Sequence, residues 1–149
     1  MVSTDINGTR FSLRSAGIAV KDGFVMLNKG VDEPYWFIPG GRVEEGEDSP
    51  SAILREMREE IGQDVRIREL ACVIENFFIL DGRKAHEIGF YYFIDVPQSW
   101  EGPRFIEDGS RIEYRWLKLE ELEQEALYPA VIKDVISGRE ARRHLIVKE

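Results

Sequence analysis

The stretch GGRVEEGEDSPSAILREMREEIG, residues 40–62, puts seven carboxylates into 23 residues, three of them at Glu56, Glu59 and Glu60. Like charges three and four apart on a helix repel by about 0.2–0.5 kcal/mol per pair, so a bound cation is the natural compensation. Ser49-Pro50 reads as a helix start, with Ser49 the N-cap and Pro50 the first helical residue. Gly62 stands where a C-terminal cap glycine belongs, which predicts a helix over 50–61. At 100° per residue Glu56, Glu59 and Glu60 span an arc of about 100°. Ile53, Leu54, Met57 and Ile61 form an apolar stripe beside it. Carboxylates at i, i+3 and i+4 converge as an oxygen-liganded hard cation requires, whereas a plain solvated acidic helix needs no such arrangement. Arg55, four residues before Glu59, can neutralise or orient a carboxylate. Just upstream, Pro39-Gly40-Gly41 reads as a tight loop whose bare backbone can approach a ligand or lend a carbonyl to a metal.

Outward from this segment the chain reads mostly as strands. Residues 11–20 and 24–29 flank Asp22-Gly23, and residues 65–80 and 85–96 flank Asp81-Gly82, two hairpin signals. Residues 36–38 and 113–119 read as further strands, and 119–126 and 130–137 as helices, the last stopping at Gly138. Strands, one helix, more strands and terminal helices suggest an α+β fold, a mixed sheet flanked by helices in an α-β-α sandwich, rather than regular βαβ alternation. No repeat or linker divides the 149 residues, so one domain is expected over 1–149.

The formal net charge is −8, which argues against nucleic acid as a partner and means that a polyphosphate substrate needs metal ions to mediate its contact. A single cysteine, Cys72, excludes an intramolecular disulfide and fits a reducing compartment. Neither a signal-peptide pattern nor an apolar run of about 20 residues is present. The expected location is cytoplasmic, with no membrane partner.

The acidic segment resembles the Nudix box: Gly, five residues, Glu, seven residues, Arg-Glu, an apolar residue, any residue, Glu-Glu, any residue, Gly and an apolar residue. The matching positions are Gly41, Glu47, Arg55, Glu56, Met57, Glu59, Glu60 and Gly62, and the one departure is Gln63 at the last, apolar position. The resemblance implies Mg²⁺- or Mn²⁺-dependent hydrolysis of a nucleoside diphosphate linked to another group. It implies Glu56 and Glu60 as metal ligands, Glu59 as a ligand or as the residue that orients the water, and the Gly41 carbonyl as a further ligand. Glu47 and Arg55 then support the carboxylates. In several branches the general base comes from a later acidic loop, for which Glu107 and Asp108 are the candidates here, with Glu113 behind them.

The resemblance does not reach the substrate. The proline that marks ADP-ribose pyrophosphatases some fifteen residues after the box is absent from Asn76-Phe77-Phe78-Ile79. Lys29 and Arg42 are candidates for phosphate contact, Tyr91 and Phe78 for stacking on a base, and His86 for a phosphate or a structural role. A nucleotide-sensing module without activity and an RNA 5′-end pyrophosphohydrolase are the rival readings. The four box glutamates weigh against the first and the net charge against the second. The oligomeric state is open, a homodimer being common in the family.

Overall fold

A computed structural model of the chain describes residues 1–97, 99–102 and 111–148. In chain order the elements are β1 (Ser3–Ile6), β2 (Thr9–Ile18), β3 (Val20–Lys21), β4 (Phe24–Gly30), β5 (Trp36–Phe37), β6 (Gly40–Arg42), α1 (Ser49–Ile61), β7 (Arg66–Leu80) and β8 (Arg83–Asp95). After them come β9 (Ile112–Lys118), a 3₁₀ helix (Leu119–Gln124), β10 (Leu127–Tyr128), α2 (Ile132–Ser137) and β11 (His144–Lys148). One mixed sheet runs β1-β2-β8-β7-β11, with β6 also pairing β2. The other runs β10-β5-β4-β3, with β9 on β4. The β2–β8, β7–β11 and β5–β10 pairs are parallel. Among the described residues no helix is long and apolar enough to cross a membrane.

Local chemistry explains the boundaries. Asp22-Gly23 and Asp81-Gly82 both adopt positive φ, the requirement of a two-residue hairpin turn that matches strand twist. The N-cap of α1 is Asp48, not Ser49: its carboxylate accepts from the Ser51 N–H at 2.8 Å. The Ser49 hydroxyl instead shares a 2.6 Å hydrogen bond with the Tyr92 hydroxyl. Gly62 closes the helix in the left-handed conformation. The expected helix at 119–126 is a 3₁₀ turn that buries Leu122; with only Leu119 and Leu122 facing inward three apart, the tighter coil suffices. The expected loop at Pro39-Gly40-Gly41 leads into strand β6, which lies against β2. A Cβ on Gly40 would come within 2.2 Å of the Ser15 carbonyl oxygen, so only glycine permits that approach. Strands β1 and β11, absent from the sequence reading, cover polar or short segments at the ends of the chain.

Alternation along the strands sends side chains to two cores. Ile53, Met57 and Ile61 of α1 pack with Met26, Tyr92, Ile94 and Tyr114. Val25, Leu27, Cys72, Ile74, Tyr91 and Leu117 face the other way, toward Leu122, Ile132 and Val135. The sheets thus lie between α1 on one side and the 3₁₀ helix and α2 on the other. Each fully buried Ile or Met contributes about 1.5–3 kcal/mol. A Cβ on Gly17 would lie 2.5 Å from Ile94 Cδ1 and 3.3 Å from Ile53 Cγ1, so that glycine seats α1 on β2.

Candidate active site

The box residues come together where the face of α1 meets β6. Arg55 is the organiser. Its Nε and Nη2 donate to the two Glu47 oxygens at 2.8 and 3.0 Å, and its Nη1 donates to Glu56 at 2.9 Å and to Glu59 at 3.1 Å. Nη2 also donates to the Arg42 carbonyl at 3.1 Å, tying the helix to β6. The guanidinium holds the Glu47 carboxyl below its ordinary pKa, and these carboxylates in turn hold Arg55 firmly charged. This is a bidentate pair extended into a network, which is geometrically specific as well as attractive.

Glu60 sits in different surroundings. Tyr114, fully buried, donates its hydroxyl to Glu60 Oε2 at 2.6 Å. Burial pushes the Glu60 carboxyl up to about 8; the Tyr114 bond opposes this, and a shared hydrogen bond with Glu56 adds to it. The Glu56 carboxylate lies against Gly41, where a Cβ would fall 2.3 Å from Glu56 Cδ. The backbone of β6 and the two carboxyls therefore form one cradle. Two neighbouring carboxyls, Glu60 raised by burial and hydrogen-bonded to Glu56, are a fitting place for a divalent cation. The donors are all hard oxygens, as Mg²⁺ or Mn²⁺ prefers.

The structure separates Glu59 from this pair. Its side chain is 59% exposed and turned to Arg55. Among the described residues no group of three or more His, Cys, Asp or Glu side chains is placed to hold an ion as it stands. The Glu56–Glu60 cradle supplies two side chains, and the helical arc that aligns three carboxylates does not bring the third inward.

A cleft of about 570 Å³ opens beside the cradle, lined among others by Tyr35, Phe37, Phe78, Tyr91 and Tyr128. Arg14 and Phe37 also line the smaller hollow bounded by Gly40 and Glu60, so the cleft and that hollow share a wall. Arg14 donates to the Ile38 carbonyl at 2.8 Å. Of the sequence candidates, Phe78 and Tyr91 line the cleft, Tyr91 as a buried residue whose hydroxyl is pushed up by burial. Lys29 turns elsewhere, to the Glu33 carbonyl at 3.1 Å and over the Trp36 ring. The Arg42 side chain points to the Met1 sulfur at 3.3 Å. His86 stacks on Phe77 at 4.3 Å on the opposite face of the sheet from the cleft. Glu113 pairs with Arg115, while Glu107 and Asp108 lie outside the described residues. Arg14 and Tyr114 escaped the sequence reading. Arg14 had a signal: on β2 the same face carries Ser12, Arg14, Ala16 and Ile18, and a charge on an otherwise inward alternation marks a cleft or a site.

Known proteins resemble this chain in sequence and fold. The family description "NUDIX domain" matches residues 12–136. The 8-oxo-dGTP diphosphatase of Buchnera aphidicola subsp. Schizaphis graminum is 29% identical over 111 residues, covering 71% of this chain and 76% of that protein. The nucleoside triphosphatase NudI of Escherichia coli K12 is 31% identical over 100 residues, covering 64% of this chain and 70% of its own. The crystal structure of a MutT NUDIX hydrolase from Burkholderia pseudomallei superposes with a TM-score of 0.62 at 25% identity, covering 83% of this chain and 95% of the other. With its box braced by Arg55 and its domain matched over most of its length, this chain belongs to the Nudix hydrolase family.

Proposed function

We propose that the chain is a single Nudix domain that hydrolyses the pyrophosphate bond of a nucleoside diphosphate linked to another group, a nucleoside triphosphate being the simplest such substrate, with Mg²⁺ or Mn²⁺. The observation that carries this reading is the Glu56 carboxylate against Gly41 and hydrogen-bonded to Glu60, which lines a hollow sharing Arg14 and Phe37 with the aromatic cleft. The names of the relatives, a diphosphatase and a nucleoside triphosphatase, support a nucleotide substrate.

In this reading Glu56 and Glu60 hold the cation, with the Gly41 backbone beside them. A cation bound there neutralises phosphate charge and lowers the pKa of the attacking water. Tyr114 fixes one Glu60 oxygen and leaves the other facing Glu56. Arg55 holds Glu56 and Glu47 in place, so the charged groups need no reorganisation when substrate arrives. Glu59, at the outer edge, is positioned by Arg55 to receive or orient water. Arg14, common to the cleft and the hollow at Glu60, is placed to contact phosphate, and the aromatic walls receive the base.

A panel of nucleoside triphosphates and nucleotide sugars, incubated with Mg²⁺ and scored by product mass, tests the proposal. Cleavage within the phosphate chain is expected, together with a loss on the order of 10³-fold in kcat for Glu60→Gln. Binding without turnover across the panel would overturn it in favour of a nucleotide sensor.

A further inference from the structure

The floor of the cleft carries polar atoms that phosphate chemistry does not use. Ser12, Glu87 and Asn76 are paired across three neighbouring strands, Ser12 with Glu87 and Glu87 with Asn76. Glu87 and Asn76 line the cleft. Asn76 is 8% exposed, and its Oδ1 is buried with no hydrogen-bond partner. Among the described residues, the hydrogen bond to Glu87 is a long 3.5 Å one from the Ser12 hydroxyl. Leaving a buried acceptor unmet costs about 1–3 kcal/mol. Two acceptors set side by side under aromatic walls therefore call for a ligand that presents adjacent N–H donors.

Resting on the reading of the cleft as the nucleoside site, we propose that Glu87 and Asn76 select a guanine-type base. The donor arithmetic decides among the bases. Guanine alone offers N1–H beside N2–H₂, two donors for the Glu87 carboxylate and a remaining N2 hydrogen for Asn76 Oδ1. Adenine and cytosine each set an amino donor beside a ring-nitrogen acceptor, which would face the carboxylate. Uracil and thymine flank their single N–H with two carbonyls. The aromatic wall fits a flat ligand: Tyr35 meets Phe37 and Tyr128 edge to face, with centroids 5.4 and 5.7 Å apart. Gly89, the next inward position along β8 after Glu87, leaves its space to the Tyr91 ring, 2.8 Å from where a Cβ would stand, which keeps the floor flat beside the carboxylate. Glu87 and Asn76 are thus the specificity-determining residues.

The test is calorimetric binding of uncleavable α,β-methylene diphosphates of guanosine, inosine, adenosine, cytidine and uridine to the whole protein in Mg²⁺. Because these analogues cannot turn over, base selection is read apart from hydrolysis. Guanosine is expected to bind at least about 10-fold more tightly than inosine, which lacks the N2 amino group, and than the other three. Glu87→Gln should erase the preference for guanosine, and Asn76→Ala should narrow the gap to inosine, with melting temperature confirming that both variants fold. Equal affinity for all five bases, or tighter binding of adenosine, overturns the proposal. So does a preference that survives Glu87→Gln, or tighter binding of a choline ester, which would make the aromatic walls and Glu87 a site for cationic groups. Selective binding with no hydrolysis of any nucleoside triphosphate or nucleotide sugar in the panel would leave this inference standing and sink the proposed activity. Hydrolysis without base preference would do the reverse.

Discussion

Gly41 has no side chain because the Glu56 carboxylate occupies the place where one would stand. Gly41→Ala must push the Glu56 carboxylate out of its place, and misplacing a reacting group by an ångström costs on the order of 10²-fold. A drop of that size in kcat with a nearly unchanged melting temperature is expected; wild-type kcat would show that Glu56 is not held where the cation is needed. Tyr114→Phe removes the donor to Glu60 and leaves a half-buried carboxyl unmet, so urea unfolding should report a loss of about 1–3 kcal/mol. The box was legible in the sequence residue by residue, since its spacing is a local pattern. Tyr114 was not, because it is 54 residues from Glu60 and no local pattern joins a strand residue to a distant helix. Asn76 and Glu87 stayed hidden for the same reason: what singles them out is a missing partner, which only three-dimensional placement reveals.

Among the elements, α1 was the most legible. Its apolar stripe, its start within a residue and its glycine stop all follow from periodicity and capping chemistry. The error was the choice of cap, as Asp48 and Ser49 are both good N-caps and Tyr92 claims the Ser49 hydroxyl. Asp48→Ala should lower stability by about 1 kcal/mol, measured as a shift in the urea midpoint, whereas Ser49→Ala would produce the cap effect only if Ser49 were the true N-cap. Met57 is fully buried beneath the carboxylates, and Met57→Ala should cost about 2–5 kcal/mol on the same measurement. Short strands resisted the reading. Asn7-Gly8, both at positive φ, is a hairpin signal that links β1 to β2, but three polar residues and an exposed Ile6 offer no alternation to set against it. Strand β11 adds to β7 in parallel from the far end of the chain, a pairing that sequence proximity does not suggest.

For the molecule as a whole, ligand and fold are linked. A cation that binds the Glu56–Glu60 cradle of the native state only raises stability, by about 2.7 kcal/mol at 100 times its dissociation constant. Mg²⁺ should therefore raise the melting temperature of the wild-type protein, and the rise should vanish in Glu56→Gln/Glu60→Gln. An equal rise in both proteins would place the ion elsewhere. The two-sided order of helices around mixed sheets was legible from the succession of elements, but the nearness of the cleft to the box was not, since it depends on the pairing of β6 with β2.

Cys72 lies in the middle of that arrangement, with no exposed surface and its thiol pushed up to about 11 by burial. A thiol that is neither ionised nor reachable does not react with an alkylating reagent while its strand is closed. The protein therefore carries a stopwatch for its own breathing. In native buffer the rate of alkylation at Cys72 counts excursions that open β7, and the slowing of that rate by Mg²⁺ or by nucleotide measures how far each ligand steadies the sheet beneath it.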